Sequence, residues 1–282
     1  VRWEDIGGLE ETKRLIKTAY GLALARKPAG LNIDPGETML LYGPPGTGKT
    51  LLAAATAGGL DATFFNVKVS NLLSKYFGES TKLISALYEV AHERNPAVIF
   101  LDEFEALVPA RGSGESGAER RIVSTLLAEL DGLAGKDDER FVLTMAATNL
   151  PWLLDSAILS RFQRKVYVPL PDDAAREEIL RIHTEKKGHQ SQMSITELIT
   201  LTAGYSGREI EQICEIAAAN MISRMNPDLI DRVEGGLDEI QAYELKVSPL
   251  TREDFNLGLD TIQPTTSSKM LRNYESWLGN LE

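Results

Sequence analysis

The chain has 282 residues, of which 43% are hydrophobic and 25% are charged, a composition typical of soluble globular proteins. Its net charge of −11 argues against bulk attraction to nucleic acid or to an anionic membrane. No apolar run is long enough to span a bilayer, and the single cysteine, Cys214, excludes an internal disulfide and favours a reducing, cytoplasmic compartment. Because the sequence begins at Val1, we expect a fragment that lacks an N-terminal module.

The first half of the chain alternates between helical and strand patterns. Apolar residues recur at helical intervals over residues 9–26, and prolines and glycines then break the pattern. Strands are predicted at residues 39–42, 63–67, 96–101, 140–148 and 165–169, and helices at 51–58, 81–94 and 118–130. This alternation predicts an α/β domain over residues 1–170, with a parallel sheet between two layers of helices.

The second half is nearly all helical. Its helices are predicted at residues 172–186, 195–203, 208–225, from 250 onward, and 269–278, with a polar, turn-rich insertion at 226–249. Residues 171–282 therefore form a predicted smaller, all-helical domain that includes the C-terminal helix. Cys214 lies at helical spacing with apolar neighbours, so we interpret it as a core residue.

A phosphate-binding pattern, GxxxxGK[ST], occupies residues 43–50 between a predicted strand and a predicted helix. Its glycines let backbone N–H groups converge on an oxyanion, and the helix that follows directs its positive end at the same point. Lys49 is expected to reach the β- and γ-phosphates, and the Thr50 hydroxyl to hold Mg²⁺. The structural alternative is a glycine-rich turn before a buried helix. The predicted nucleotide contacts here are Pro45, Gly46, Thr47, Gly48, Lys49, Thr50 and Leu51.

Polar residues follow two of the predicted buried strands. Asp102 and Glu103 end one strand, and Asn149 ends another. We expect Asp102 to bind Mg²⁺, Glu103 to orient and deprotonate the attacking water, and Asn149 to contact the γ-phosphate and that water. Because ligands of open α/β sheets collect at the carboxyl ends of the strands, these residues predict a hydrolytic site for a nucleoside triphosphate.

With its motifs in this order, the chain resembles an AAA ATPase module over essentially its whole length. Residues 1–9 resemble that family's opening signature, and residues 148–157 together with Arg161 and Phe162 resemble its second region of homology. Residues 267–277 are similar to the C-terminal helix of the meiotic subgroup, which contains katanin, spastin, fidgetin and the vacuolar sorting ATPase.

The resemblance implies ring hexamers that hold ATP or ADP with Mg²⁺ between subunits. Arg161 matches the arginine finger that enters the neighbouring site, and Arg164 matches an accompanying second arginine. The subgroup usually has another arginine just before the finger, where this chain has Ser160, so part of that contact is in doubt. The alternative for Arg161 is a solvated surface residue.

Further nucleotide contacts are implied by the same resemblance. Asp5, Ile6 and Gly7 match the segment beside adenine, and His183 matches a histidine near the base and ribose. Gly207 matches a small residue under the nucleotide. The next position usually carries alanine or serine, whereas this chain has Arg208, which either approaches the phosphates from the helical lid or lies in an exposed first helical turn.

Residues 75–79 resemble the first pore loop, in which Tyr76 and Phe77 would face the central channel and grip an unfolded chain. The alternative is that both rings pack beneath the loop. Residues 111–119 resemble the second pore loop, or form an inert linker. The resemblance thus implies an ATP-driven homohexamer that threads, remodels or disassembles protein substrates.

Two other functions stay open: a nonhydrolysing nucleotide switch or scaffold, and a motor that acts on nucleic acid. The complete set of hydrolytic residues argues against the first, and the acidic charge and the aromatic loop argue against the second. A GTPase is disfavoured because no NKxD guanine-specificity motif occurs.

Overall fold

A computed structural model describes residues 1–26, 36–75, 79–108, 117–133 and 141–279. The chain divides into two compact units, the first comprising Val1–Pro169 with Lys269–Glu282 and the second Leu170–Ser268. None of the helices in these described ranges combines the length and the apolar character needed to cross a bilayer.

A parallel sheet forms the centre of the first unit. In the described residues it has the strand order β2-β3-β4-β1-β5, and every neighbouring pair is parallel. Its strands are β1 (Thr38–Tyr42), β2 (Thr63–Lys68), β3 (Ala97–Asp102), β4 (Val142–Thr148) and β5 (Arg164–Tyr167). The helices of this unit are α1 (Glu10–Leu24), α2 (Lys49–Gly59), α3 (Val69–Lys75), α4 (Ser80–Glu93), α5 (Gly117–Leu133) and α6 (Ser156–Leu159).

The central strands are buried on both faces, which is why they read as continuous apolar runs. In β3, Ile99 and Leu101 pack in one core cluster with α4 and α5, while Val98 and Phe100 pack in a second cluster with α1 and α2. The predicted α/β sheet between helical layers is confirmed. Two short helices, α3 and α6, were not predicted, because a single turn or two carries no clear apolar period.

The second unit consists of helices around α9. Its elements are α7 (Asp173–His183), α8 (Ile195–Leu201), α9 (Gly207–Met225), α10 (Leu229–Glu234), α11 (Leu237–Ala242) and α12 (Arg252–Thr261). Four of them begin at side-chain N-caps: Asp172, Ser194, Ser206 and Thr251. Ile210, Ile213, Ala217 and Met221 of α9 form one buried stripe, and Cys214 lies in the same core.

The turn-rich insertion predicted at residues 226–249 contains two helices, α10 and α11. Buried Asn226 closes this excursion, because its Nδ2 donates to the carbonyl of Lys246 at 2.9 Å and its Oδ1 accepts the Lys246 N–H at 2.8 Å. The helices were missed because each has six residues and exposes its apolar side chains, so no buried stripe marks them.

The C-terminal helix, α13 (Ser268–Leu278), groups with the first unit, whereas the sequence placed it in the helical domain. The physical reason is aromatic packing. Tyr274 is fully buried beside Trp152 and Tyr167, and Trp277 packs edge-on against Tyr42 at 4.6 Å between ring centroids. These partners belong to the sheet and its connections, so α13 is a part of the α/β unit.

Candidate nucleotide-binding site

The loop between β1 and α2 depends on glycine in a way that suits a phosphate cradle. Gly43 has φ +150°, and a Cβ there would lie 2.2 Å from the carbonyl oxygen of Val168, so no other residue fits without moving that backbone. Gly46 and Gly48 also have positive φ values, +74° and +90°. Such a turn directs successive backbone N–H groups to one side, which is the arrangement that binds a polyphosphate.

Lys49 is the first residue of α2, and its side chain turns back over this loop. The residue is only 8% exposed, and its Nζ donates to the carbonyls of Gly43 at 2.9 Å and Pro44 at 2.7 Å. Burial lowers the pKa of Lys49 to about 8, although the carboxylates of Glu105 and Asp102 act in the opposite direction. An anion in the loop would favour the charged form of this amine.

Two oxygen ligands suitable for Mg²⁺ meet where α2 begins and β3 ends. The Thr50 Oγ1 donates to Asp102 Oδ2 at 3.3 Å, and the other oxygen of Asp102 accepts the backbone N–H of Glu103 at 2.9 Å. A hydroxyl beside a carboxylate belongs to the oxygen donor set that Mg²⁺ prefers. These residues therefore fit the predicted metal contact.

Glu103 is turned toward the neighbouring strand. Its backbone is left-handed, with φ +56°, and its carboxylate accepts a short hydrogen bond from the Ser70 hydroxyl and pairs with Lys68 Nζ at 3.0 Å. Ser70 first, and then Lys68, lower the pKa of Glu103 below its usual range. In this conformation the carboxylate is a weak base, so it has to leave both partners before it can accept a proton from water.

Asn149 follows β4, the strand between β3 and β1, and so lies at the same edge of the sheet as Asp102 and the phosphate loop. Its backbone N and its Nδ2 lie 3.4 and 3.5 Å from Oε1 of Glu105. Its carbonyl oxygen accepts a short hydrogen bond from the Tyr274 hydroxyl.

Glu105 and Tyr274 are site residues that the sequence analysis missed. The second carboxylate oxygen of Glu105 is buried without a hydrogen-bond donor among the described residues, and Glu105 acts electrostatically on Lys49. A signal for Glu105 was available, since it is the third carboxylate in the short run that begins at Asp102. Tyr274 had no such signal, because its contact depends on the docking of α13.

Arg161 lies far from the phosphate loop of its own chain. Its carbonyl accepts a hydrogen bond from Thr38 Oγ1 at 2.7 Å, which places it at the amino ends of the strands, whereas the loop follows the carboxyl end of β1. The four steps of β1 between these ends span about 13 Å. The Arg161 guanidinium pairs with Asp131 at 2.7 Å.

Ser160 and Arg164 flank this residue. Ser160 Oγ accepts a hydrogen bond from Arg161 at 3.1 Å, so the position at which the sequence departs from the subgroup supports the Arg161 side chain. Arg164 is the first residue of β5, pairs with Met39, and extends past Gly36.

The predicted base-binding segment precedes α1. Ile6 is 4% exposed and packs in the core cluster of α1 and α2, and its carbonyl accepts a hydrogen bond from Lys13 Nζ at 2.7 Å. The carboxylate of Asp5 accepts the backbone N–H of Arg2 at 2.7 Å. Gly7 directly follows this buried anchor.

Three predicted nucleotide contacts belong to the second unit. His183 ends α7, with its Nδ1 3.6 Å from Glu211, and burial lowers its pKa although Glu211 opposes the shift. Gly207 begins α9 after the N-cap Ser206. Arg208 is exposed in the first turn of that helix. Their contact with a nucleotide stays a prediction.

The predicted first pore-loop residues, Tyr76 and Phe77, lie outside the described residues, as does most of the predicted second pore loop at 111–119.

Comparison with known proteins agrees with this site. The family described as "ATPase family associated with various cellular activities (AAA)" matches residues 39–170. The crystal structure of the FIGL-1 AAA domain in complex with ADP superposes with a TM-score of 0.78 and 31% identity, covering 98% of this chain and 89% of that one.

Curated relatives match the chain at higher identity. A katanin p60 ATPase of Danio rerio, the A-like 1 form, is 38% identical, over 99% of this chain and 58% of that protein. The cell division cycle protein 48 homolog of Archaeoglobus fulgidus is also 38% identical, over 96% of this chain and 37% of that protein. The chain thus spans between about a third and three fifths of the length of these relatives.

Proposed function

Because this chain belongs to the AAA family of ATPases, with katanin-like and FIGL-1 relatives that match the predicted meiotic subgroup, we propose that it is a ring-forming ATPase motor that remodels protein substrates. ATP would bind between neighbouring copies of the chain. The observation that carries the hydrolytic role is the convergence of Lys49, Thr50, Asp102 and Asn149 at one edge of the sheet.

Each residue of this edge has a separate task. Lys49 exchanges its two loop carbonyls for the β- and γ-phosphates. Thr50 and Asp102 would hold Mg²⁺, which supplies neutralisation of phosphate charge when it is bound. Glu103 leaves Ser70 and Lys68, orients the attacking water and accepts its proton. Asn149 orients the same water through its side-chain amide.

The position of Arg161 supports a ring. At the amino ends of the strands, this guanidinium is further from its own phosphate loop than an arginine side chain can span, so it is available to a neighbouring copy. A guanidinium that enters the neighbouring site stabilises the charge that develops on the γ-phosphate. We therefore propose a homohexamer, in which Arg164 assists the same contact.

The proposed substrate is an unfolded or loosely folded polypeptide. This part of the proposal is supported by the resemblance of residues 75–79 to a pore loop with two adjacent aromatic residues, Tyr76 and Phe77. Stacking and apolar contact by these rings would be tolerant of substrate sequence. The single Cys214 accords with action in the reducing cytoplasm.

A nonhydrolysing nucleotide switch is the second candidate, because Glu103 is engaged by Ser70 and Lys68 and has a lowered pKa. The two candidates differ in turnover. A motor releases phosphate continuously from excess ATP, whereas a switch binds ATP and stops.

Substitution of Glu103 tests the hydrolytic role. The variant Glu103→Gln should bind ATP normally and assemble into hexamers, but its steady-state phosphate release should fall by about 10²-fold or more, because a general base contributes that much. The matched control is Glu89→Gln, which removes an exposed carboxylate of α4 and should leave turnover unchanged. Absence of phosphate release by the unaltered chain would favour the switch.

A further inference from the structure

The C-terminal helix reaches into the nucleotide edge of the sheet through one side chain. Tyr274 of α13 is fully buried, and its hydroxyl donates a short hydrogen bond to the carbonyl oxygen of Asn149. These residues are 125 positions apart in the sequence. The contact therefore links the last helix of the chain to a residue proposed to orient the lytic water.

The surroundings of Tyr274 make this contact rigid. Its ring packs against Trp152 and Tyr167, with centroid separations of 5.1 and 5.8 Å. One helical turn further, Trp277 packs edge-on against Tyr42, the last residue of β1 before the phosphate loop. Aromatic pairs of this kind add stability beyond the area that they bury, so α13 is anchored at two points of the same sheet edge.

The Tyr274 hydroxyl is a permanent donor. Burial raises its pKa above the usual tyrosine value, and the neighbouring Tyr167 and Glu105 act in the same direction. The group therefore keeps its proton over the whole range in which the protein is folded. A buried phenol of this kind needs an acceptor, and the Asn149 carbonyl provides it.

Asn149 has weak support from its other side. Its backbone N and Nδ2 both approach Glu105 Oε1, at 3.4 and 3.5 Å, which is long for a hydrogen bond. Among the described residues, the hydrogen bond from Tyr274 is thus the short one that Asn149 makes. Because that bond holds the carbonyl of Asn149, it fixes the peptide that follows β4 and, with it, the direction of the side chain.

We propose that Tyr274 is a positioning residue for Asn149, through which docking of the C-terminal helix sets the rate of ATP hydrolysis. The proposal rests on the proposed function, in which the Asn149 amide orients the attacking water. Tyr274 touches neither nucleotide nor water in this role. Its loss should therefore lower kcat and leave the affinity for ATP intact, because Lys49 and the loop glycines bind the phosphates without it.

The variant Tyr274→Phe tests this role because it removes the hydroxyl and keeps the packed ring. We expect kcat to fall about tenfold, in keeping with the loss of a buried hydrogen bond, while the Kd for ATP stays within about twofold. The matched control is Tyr167→Phe, which removes a hydroxyl from the same aromatic cluster and should leave kcat unchanged. Both variants are measured at saturating ATP, with the hexamer fraction and the unfolding temperature recorded for each.

A double-mutant cycle with Asn149→Ala separates positioning from a general structural effect. In the Asn149→Ala background, Tyr274→Phe should cause no further fall in kcat, because the side chain that it positions is absent. The same fall in both backgrounds, or a fall in kcat matched by weaker ATP binding, would overturn the proposal.

The cycle also distinguishes the two levels of inference. If Asn149→Ala loses turnover while Tyr274→Phe retains it, the positioning proposal fails and the proposed function stands. If Asn149→Ala retains full turnover, the role of Asn149 in the proposed function is wrong and the positioning proposal fails with it.

Discussion

At the scale of single residues, the site places charged groups where burial and local partners oppose their usual protonation. Lys49 is buried over the loop carbonyls, and its pKa is lowered to about 8. Glu103 has a lowered pKa for a different reason, since Ser70 and Lys68 stabilise its charged form. The amine is thus prepared to gain a proton with an anion, and the carboxylate must first lose its partners to gain one.

Binding of ATP should therefore take up a proton at alkaline pH. Above pH 8 the free Lys49 is largely neutral, and a polyphosphate favours its charged form, so uptake should approach about one proton per nucleotide near pH 9. At pH 7 the lysine is charged in both states, and uptake should be small. Calorimetry in two buffers with different ionisation enthalpies measures this number at each pH.

The control for this measurement is Lys49→Arg, whose guanidinium stays charged at both pH values. Where this variant binds ATP, its proton uptake at pH 9 should vanish. Equal uptake by the unaltered chain at pH 7 and pH 9 would contradict the assignment to Lys49.

At the scale of elements, long segments with a clear burial pattern follow the sequence, and short ones do not. The strands β3 and β4 were predicted to within two residues because both faces are buried and every position is apolar or small. In contrast, α10 and α11 expose their apolar side chains, and their existence depends on the Asn226 contacts to Lys246. Periodicity therefore predicts an element when the element itself packs against the core.

Close packing of α9 on α12 gives a prediction at this scale. A Cβ on Gly258 of α12 would lie 2.8 Å from the carbonyl oxygen of Ile213, so Gly258→Ala should lower the free energy of unfolding by about 1–3 kcal/mol. The matched control is Gly21→Ala in α1, where a Cβ meets nothing within 4 Å. That variant should raise the free energy of unfolding by about 0.5–1 kcal/mol through helix propensity. Urea unfolding measures both, and equal effects would refute the packing argument.

At the scale of the whole molecule, the proposed catalytic residues lie at opposite ends of one sheet. Glu103 follows β3 at the carboxyl end, and Arg161 precedes β5 at the amino end, where it pairs with Asp131. A single chain therefore presents two halves of a proposed site that face different neighbours. This arrangement predicts that two defective variants complement one another.

Mixing Arg161→Ala with Glu103→Gln should restore phosphate release. Each variant alone should lose at least about 10²-fold of its activity, since every interface lacks either the base or the guanidinium. In mixed rings, some interfaces join the intact Glu103 of one protomer to the intact Arg161 of its neighbour. Activity should therefore rise as the two are mixed at constant total protein, and a purely additive response would contradict a shared site.

The sequence by itself determined the chemistry of this protein, because that chemistry depends on residue types at short, regular spacings. The loop at residues 43–50, the Asp102-Glu103 pair and Asn149 each lie within one strand end or one turn, where local geometry follows from local sequence. The same holds for the order of strands and helices that predicts a parallel sheet.

Only the tertiary structure decided which partners these residues have. The contacts of Glu103 with Ser70, of Arg161 with Asp131 and of Asn149 with Tyr274 join residues far apart in the chain, and no periodic pattern records them. The placement of α13 is the clearest case. Helical spacing predicts the helix, but its unit depends on which surface buries Tyr274 and Trp277, and that is a property of the folded sheet rather than of the segment.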